Sequence, residues 1–204
     1  ALNKMGWLSS DTAELIFDDC RVPEENVLGE VNKGFYAIMQ NFQNERLVVG
    51  AQAMGEAQYA IDFTLDYVKD HKAFGGVLWD KQVIRQRLSM RQAEVMAARQ
   101  MLYHTAWLDA QGCDCVQEVS MVKALCGELV NAVLYDCQQF HGGAGYLRES
   151  AIERMVRDAR EYDISATPYV VLTLLFGSVG PLAAALDPLL GHLETTDYTI
   201  LGPN

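Results

Sequence analysis

From Gly34 onward, apolar residues return at steps of three and four. Leu47, Ala51, Met54, Ile61, Leu65 and Val68 form one such stripe and predict a long amphipathic helix. The segment from Lys72 to Trp79, with Gly75-Gly76, interrupts it. A second stripe runs through Ile84, Leu88, Val95, Ala98, Leu102 and Ala106 and stops before Gln111-Gly112. A third runs through Val122, Leu125, Leu129, Val133, Cys137 and Phe140 and stops at Gly142-Gly143. A shorter fourth helix is expected over roughly 150–162. Long helices with short connections pack as antiparallel neighbours, so the expected fold is mainly α, an up-down four-helix bundle. The first thirty residues differ. Thr12-Ala13-Glu14-Leu15-Ile16-Phe17 has β-type composition, Asp18-Asp19 ends it, and Arg21 to Asn26 forms a loop. Six residues cannot make a stable sheet alone. They therefore pair with strands from elsewhere or lie across the helices.

Charge narrows the choice of partners. The chain has 204 residues with 16 Lys plus Arg against 27 Asp plus Glu, a formal net charge of −11. A nucleic-acid surface needs clustered cations, so that class is excluded, and anionic lipid is disfavoured likewise. The five cysteines (Cys20, Cys113, Cys115, Cys126, Cys137) are odd in number and have no disulfide-framework spacing. Cys113-Asp114-Cys115 lacks the second ligand pair that zinc requires. Buried thiols in a reducing compartment are expected. No basic-flanked apolar core opens the chain as a signal peptide would. From Ser165 to Leu186 no residue is charged, but Pro168, Gly177, Gly180 and Pro181 interrupt the run. Short buried or interface helices over 168–191 are expected there, with no stable membrane insertion.

Three helix junctions carry residues that a plain bundle does not need. They are Phe74-Gly75-Gly76-Val77-Leu78-Trp79-Asp80-Lys81-Gln82, Gln139-Phe140-His141-Gly142-Gly143-Ala144-Gly145-Tyr146, and Asn44-Glu45-Arg46-Leu47. Glycines between helices let backbone N–H groups approach a phosphate, and helix N-termini favour negative charge. The plainer alternative is that each glycine only ends a helix.

In this order, these segments resemble the acyl-CoA dehydrogenase family. The run from Lys4-Met5-Gly6-Trp7 through Thr12 to Glu30 resembles the end of that family's middle β-domain, and Gly34-Phe35 leads into its C-terminal helical domain. Glu149 through Arg160, including Arg157-Asp158-Ala159-Arg160, continues the agreement to about residue 164. The implied domains are 1–31, the end of the β-domain; 32–164, a helical bundle that binds FAD and acyl-CoA; and 165–204, a divergent apolar tail. The resemblance implies FAD bound between subunits and oxidation of an acyl-CoA thioester to the trans-2-enoyl-CoA. It also implies electron transfer to an electron-transfer flavoprotein and a homo-oligomer, dimer or tetramer. By the same resemblance, Gly142, Gly143 and Gly145, with Gln139, Gln82, Phe74 and Lys72, contact the FAD of a neighbouring subunit.

Many family members carry their catalytic glutamate after the Arg-Asp-Ala-Arg helix, where this chain has Ala166. The isovaleryl- and long-chain-specific types place it on the first long helix of the domain, and that position matches Glu45. The resemblance then puts Arg46 on the CoA and Phe42 in the same pocket, with Glu161 and Asp163 the next carboxylates to consider. The pattern departs in three places. His71-Lys72 stands where an arginine is usual, and lysine lacks the bidentate fork. Residues from about 165 lose the family pattern. The N-terminal helical domain and half of the β-domain are not in the sequence, which is expected to be a fragment or one chain of a split enzyme. Two other functions fit the same residues: a flavin oxidase-like relative, and a non-catalytic helical assembly module.

Overall fold

The computed structural model describes residues 2–164, and the expected helices of the apolar tail lie outside them. Four helices dominate: α1 (Gly34–Asp70), α2 (Gln82–Ala110), α3 (Val116–His141) and α4 (Ala151–Ile164). Between α1 and α2 a hairpin pairs β1 (Lys72–Ala73) with β2 (Gly76–Val77), with Ala73 opposite Gly76. Its two turn residues, Phe74 and Gly75, both have positive φ (54° and 81°). This backbone suits the twist of a tight hairpin. Among the described residues these are the only strands.

Side-chain bonds fix the helix directions. Gln58 and Gln92 exchange amide hydrogen bonds at 2.9 and 2.8 Å, joining α1 to an antiparallel α2. Arg91 Nε donates to Asp136 at 2.6 Å, joining α2 to α3. Along α4, Asn131 Nδ2 donates to the Ala159 carbonyl at 3.1 Å, and Lys123 Nζ to the Asp163 carbonyl at 3.4 Å. As residue numbers fall on α3 they rise on α4, so the pair is antiparallel. The up-down bundle is as expected.

The buried faces differ in detail from the sequence stripes. On α1 the buried line runs Arg46, Gly50, Ala53, Met54, Ala57, Ala60, Ile61, Thr64 and Val68, and Ala51 is exposed. On α2, Thr105 is buried and Ala106 is exposed. α3 is buried on more than one side because α1, α2 and α4 all pack on it, and its Ser120, Lys123 and Asp136 are buried. The strand expected over 12–17 is absent. That stretch has no backbone ladder, and Leu15, Ile16 and Phe17 are exposed. An isolated extended segment has nothing to pair its N–H and C=O groups with, and no described strand lies beside it.

What the first residues do instead is form a strap across α4. Trp7 N–H donates to Asp158 Oδ1 at 2.6 Å, and its indole Nε1 donates to the Asp158 carbonyl at 2.9 Å. Arg157 Nη1 donates to the Met5 carbonyl at 2.9 Å. Gly6 lies so close that a Cβ there would stand 2.6 Å from the Arg157 carbonyl oxygen. Only a residue without a side chain permits that approach.

Candidate functional site

The strap, the first turns of α1 and the end of α4 enclose a cavity of about 930 Å³. Glu45 and Phe42 both line it. Val48, Val49, Met5, Trp7 and Ile164 give it apolar walls, and Gln52 is also on its lining. Glu45 is exposed, and its Oε1 accepts a hydrogen bond from Asn41 Nδ2 at 2.6 Å. The two residues are one turn apart on α1, so the carboxylate is held along the helix by its own neighbour.

Arg46 does not join this lining. One residue on, the helix has turned about 100°, and its side chain points into the bundle, 6% exposed. Its Nε has no hydrogen-bond partner among the described residues. Burial lowers the guanidinium's pKa, and its charge acts with burial to lower that of Lys123. Arg46 therefore sits behind Glu45 as a buried cation and is not among the residues that line the cavity. Of the two reserve carboxylates, Glu161 lines the cavity, whereas Asp163 is paired with Arg160 at 2.9 Å.

Sequence reasoning missed the strap. Lys4, Ser10 and Thr12 all line the cavity, and the one local signal for this is Gly6-Trp7, a residue without a side chain beside a large aromatic one. It also missed Tyr162, whose ring meets Trp7 edge-on at 5.9 Å and whose phenol hydrogen-bonds Glu56. Burial, then the Glu56 charge, raises the Tyr162 pKa. Burial likewise raises that of Glu56, opposed by the Tyr162 bond and assisted by Asp158.

The residues expected at a flavin lie at the opposite end of the bundle. Lys72 and Phe74 are exposed on the hairpin, Gln82 is the first residue of α2, and Gln139 is exposed in the last turn of α3. Gly142 to Tyr146 form a 3-10 turn, with Gly142 at φ 57°, ψ −139°, a conformation that side chains disfavour. Gly142 and Gly143 are exposed, while Gly145 is buried against α3. A Cβ on Gly145 would stand 2.8 Å from the Gln138 carbonyl oxygen. Gln138 Nε2 donates to the Gly145 carbonyl at 2.9 Å and holds the loop in place. Exposed backbone and amide side chains beside one lysine form a donor set that fits the diphosphate end of a dinucleotide. Glu45 and the end of α1 are 25 residues apart, roughly 37 Å at the α-helical rise. The two groups do not form a single site within this chain.

Residues 32–166 match the family model described as the acyl-CoA dehydrogenase C-terminal domain. The chain belongs to the acyl-CoA dehydrogenase family. It is 38% identical over 162 residues to the caffeyl-CoA reductase-Etf complex subunit CarC of Acetobacterium woodii, covering 79% of this chain and 43% of that protein. It is also 38% identical over 165 residues to the mouse mitochondrial long-chain specific acyl-CoA dehydrogenase, covering 78% and 37%. The crystal structure of a probable acyl-CoA dehydrogenase from Mycobacterium abscessus superposes with TM-score 0.84 at 38% identity, covering 88% of this chain and 48% of that one. The chain thus spans less than half the length of these acyl-CoA dehydrogenase relatives. No metal-binding cluster of His, Cys, Asp or Glu occurs among the described residues, and no described helix is long and apolar enough to cross a membrane.

Proposed function

We propose that this chain is the C-terminal part of an FAD-dependent acyl-CoA dehydrogenase that converts an acyl-CoA thioester to the trans-2-enoyl-CoA. The observation that carries this reading is Glu45, a carboxylate on an apolar-walled cavity in a chain of this family. Bound FAD supplies the acceptor for the β-hydride. Glu45 takes the α-proton, Asn41 orients its carboxylate, and Phe42, Val48, Val49 and Trp7 keep water from the acyl chain. Arg46 braces the helix from behind. Residues 2–31 belong to the β-domain of the whole enzyme, whose strands pair with the 12–17 run.

At the other end of the bundle, Gly142, Gly143, Gly145, Gln139, Gln82, Phe74 and Lys72 hold the adenosine diphosphate end of a flavin seated mainly on a second copy. The enzyme is therefore a homo-oligomer, and its partner would be an electron-transfer flavoprotein that takes up the electrons removed from the substrate. The test is Glu45→Gln in the full-length flavoenzyme, which keeps the shape and removes the base. Anaerobic bleaching of the flavin by acyl-CoA should slow by roughly 10²–10⁴-fold with FAD still bound. Reduction at the wild-type rate overturns the assignment of Glu45, and Glu161 is then the carboxylate to replace.

A further inference from the structure

Five rings stack in series at the glycine-loop end of the bundle. Tyr59 faces Phe63 at 6.2 Å and 16°, and Phe63 faces His141 at 5.3 Å and 10°. His141 faces Tyr67 at 4.0 Å and 22°, and Tyr67 faces His71 at 4.8 Å and 23°. Residues 59, 63, 67 and 71 recur every four positions and so form one ridge along α1 and its C-cap. His141, the last residue of α3, is the only ring from another element, and it is inserted between Phe63 and Tyr67. Its Nε2 lies 3.3 Å from Thr64 Oγ1, which fixes the plane of the ring. The side chain is 4% exposed. Burial, then nearby His71, lowers its pKa, so the ring that stacks here is the neutral one.

Two rings of this series, His71 and His141, are tied to the two exposed turns. The His71 carbonyl accepts the Leu78 N–H at 3.0 Å, closing the hairpin that carries Phe74-Gly75. The His141 carbonyl accepts the Tyr67 hydroxyl at 3.4 Å, and Gly142 follows directly. Gly145 folds back so that a Cβ there would stand 3.0 Å from His141 Cβ. The hairpin and the glycine loop, some 65 residues apart in sequence, thus share one support.

We infer that His141 is a positioning residue that locks the Phe74-Gly75 turn and the Gly142–Gly145 loop in one register, so that both present their backbone to a dinucleotide as one surface. The dinucleotide rests on the flavin reading above; the mechanical coupling does not. Two arms separate them: amide hydrogen exchange and FAD titration, both on the full chain. In His141→Ala, which loses two stacked contacts, amides in 72–78 and in 142–147 should both exchange about tenfold faster or more. FAD affinity should fall by a similar factor. His141→Phe keeps the ring and should restore both readouts, whereas His141→Gln keeps polarity without the ring and should restore neither. Should His141→Ala fail to fold, the Phe and Gln variants decide the matter. Tyr67→Leu should release the hairpin while leaving the Gln138–Gly145 hold on the loop. The inference is overturned if His141→Ala frees only the glycine loop, or if His141→Phe is no better than His141→Gln. Absence of FAD binding by the wild-type chain counts against the flavin reading, and the exchange arm still decides the coupling.

Discussion

Replacing Asp158 by alanine tests whether the cavity wall depends on the strap. The Asp158 carboxylate accepts the Trp7 backbone N–H at 2.6 Å in a half-buried setting. A hydrogen bond to a charged group contributes about 1.5–3 kcal/mol, and its loss leaves the Trp7 N–H without an acceptor. The indole bond to the Asp158 main-chain carbonyl and the Arg157 bond to Met5 survive the substitution. The expected cost is therefore about 2 kcal/mol and not the whole of the strap's binding. For a chain of this size that lowers the melting temperature by about 4–8 °C. Asp158→Asn keeps an acceptor oxygen and should lose roughly half as much, because the charge-assisted part alone is removed. Thermal unfolding followed by circular dichroism gives the stability, and hydrogen exchange across residues 4–12 gives the locality. An Asp158→Ala protein within about 0.5 kcal/mol of wild type, or an asparagine variant as damaged as the alanine one, would refute the account.

Three further outcomes are expected. Asp136, buried and paired with both Arg91 (2.6 Å) and Arg87 (3.2 Å), joins α2 to α3; Asp136→Ala should cost about 3 kcal/mol in denaturant unfolding, since it removes the Nε partner of the mostly buried Arg91 and leaves it only Glu94. Glu56 has a raised pKa, so it stabilises the fold below the ordinary carboxylate pKa and loses that contribution as pH rises through its own value. Glu56→Gln should accordingly be more stable than wild type at pH 7, with the advantage vanishing as unfolding is measured at progressively lower pH. Cys20 and Cys113 are exposed, while Cys115, Cys126 and Cys137 are buried. Burial pushes Cys126 up to about 12 and Cys137 up to about 11, so a thiol reagent at neutral pH should titrate two groups in the native protein and five in denaturant.

The helices were legible because their apolar repeats are long, and Gln111-Gly112 and Gly142-Gly143 fall at helix ends, whereas Gly75-Gly76 lies in the hairpin between α1 and α2. What escaped was the burial of charge. Arg46, Lys123 and Asp136 have the side chains of surface residues, but each is buried: Lys123 and Asp136 lie on α3, which has three packing partners, and Arg46 lies on the face of α1 turned into the bundle. A stripe rule assumes one buried face and misplaces residues on such a helix. Arg46 shows the consequence for the site. Its neighbour Glu45 lines the cavity, and the family resemblance places Arg46 in the same pocket, but adjacent helical positions diverge by about 100°. The strap was illegible for another reason: Trp7 and Asp158 are 151 residues apart, and no local pattern announces their bond. The strand expected over 12–17 failed because β-propensity describes a fit to neighbouring strands, which the described residues do not supply.

The separation of the two ends of the bundle bears on why such a domain would assemble. Glu45 on α1, the base on the proposed reading, and the glycine loop after α3 cannot meet within one copy, since the long α1 helix lies between them. Shortening α1 would bring them together but would remove the packing on α3 that holds both. On the proposed reading, association of copies resolves the conflict without altering the helix, because the glycine-loop end then serves a second copy. α2 carries Val83, Met90, Met96, Tyr103 and Trp107 exposed along its length, apolar area that contact between copies would cover. On the proposed reading, the rigid ring stack around His141 then has a clear use: the surface offered to a neighbour must be formed before the neighbour arrives, or its ordering would be charged against binding.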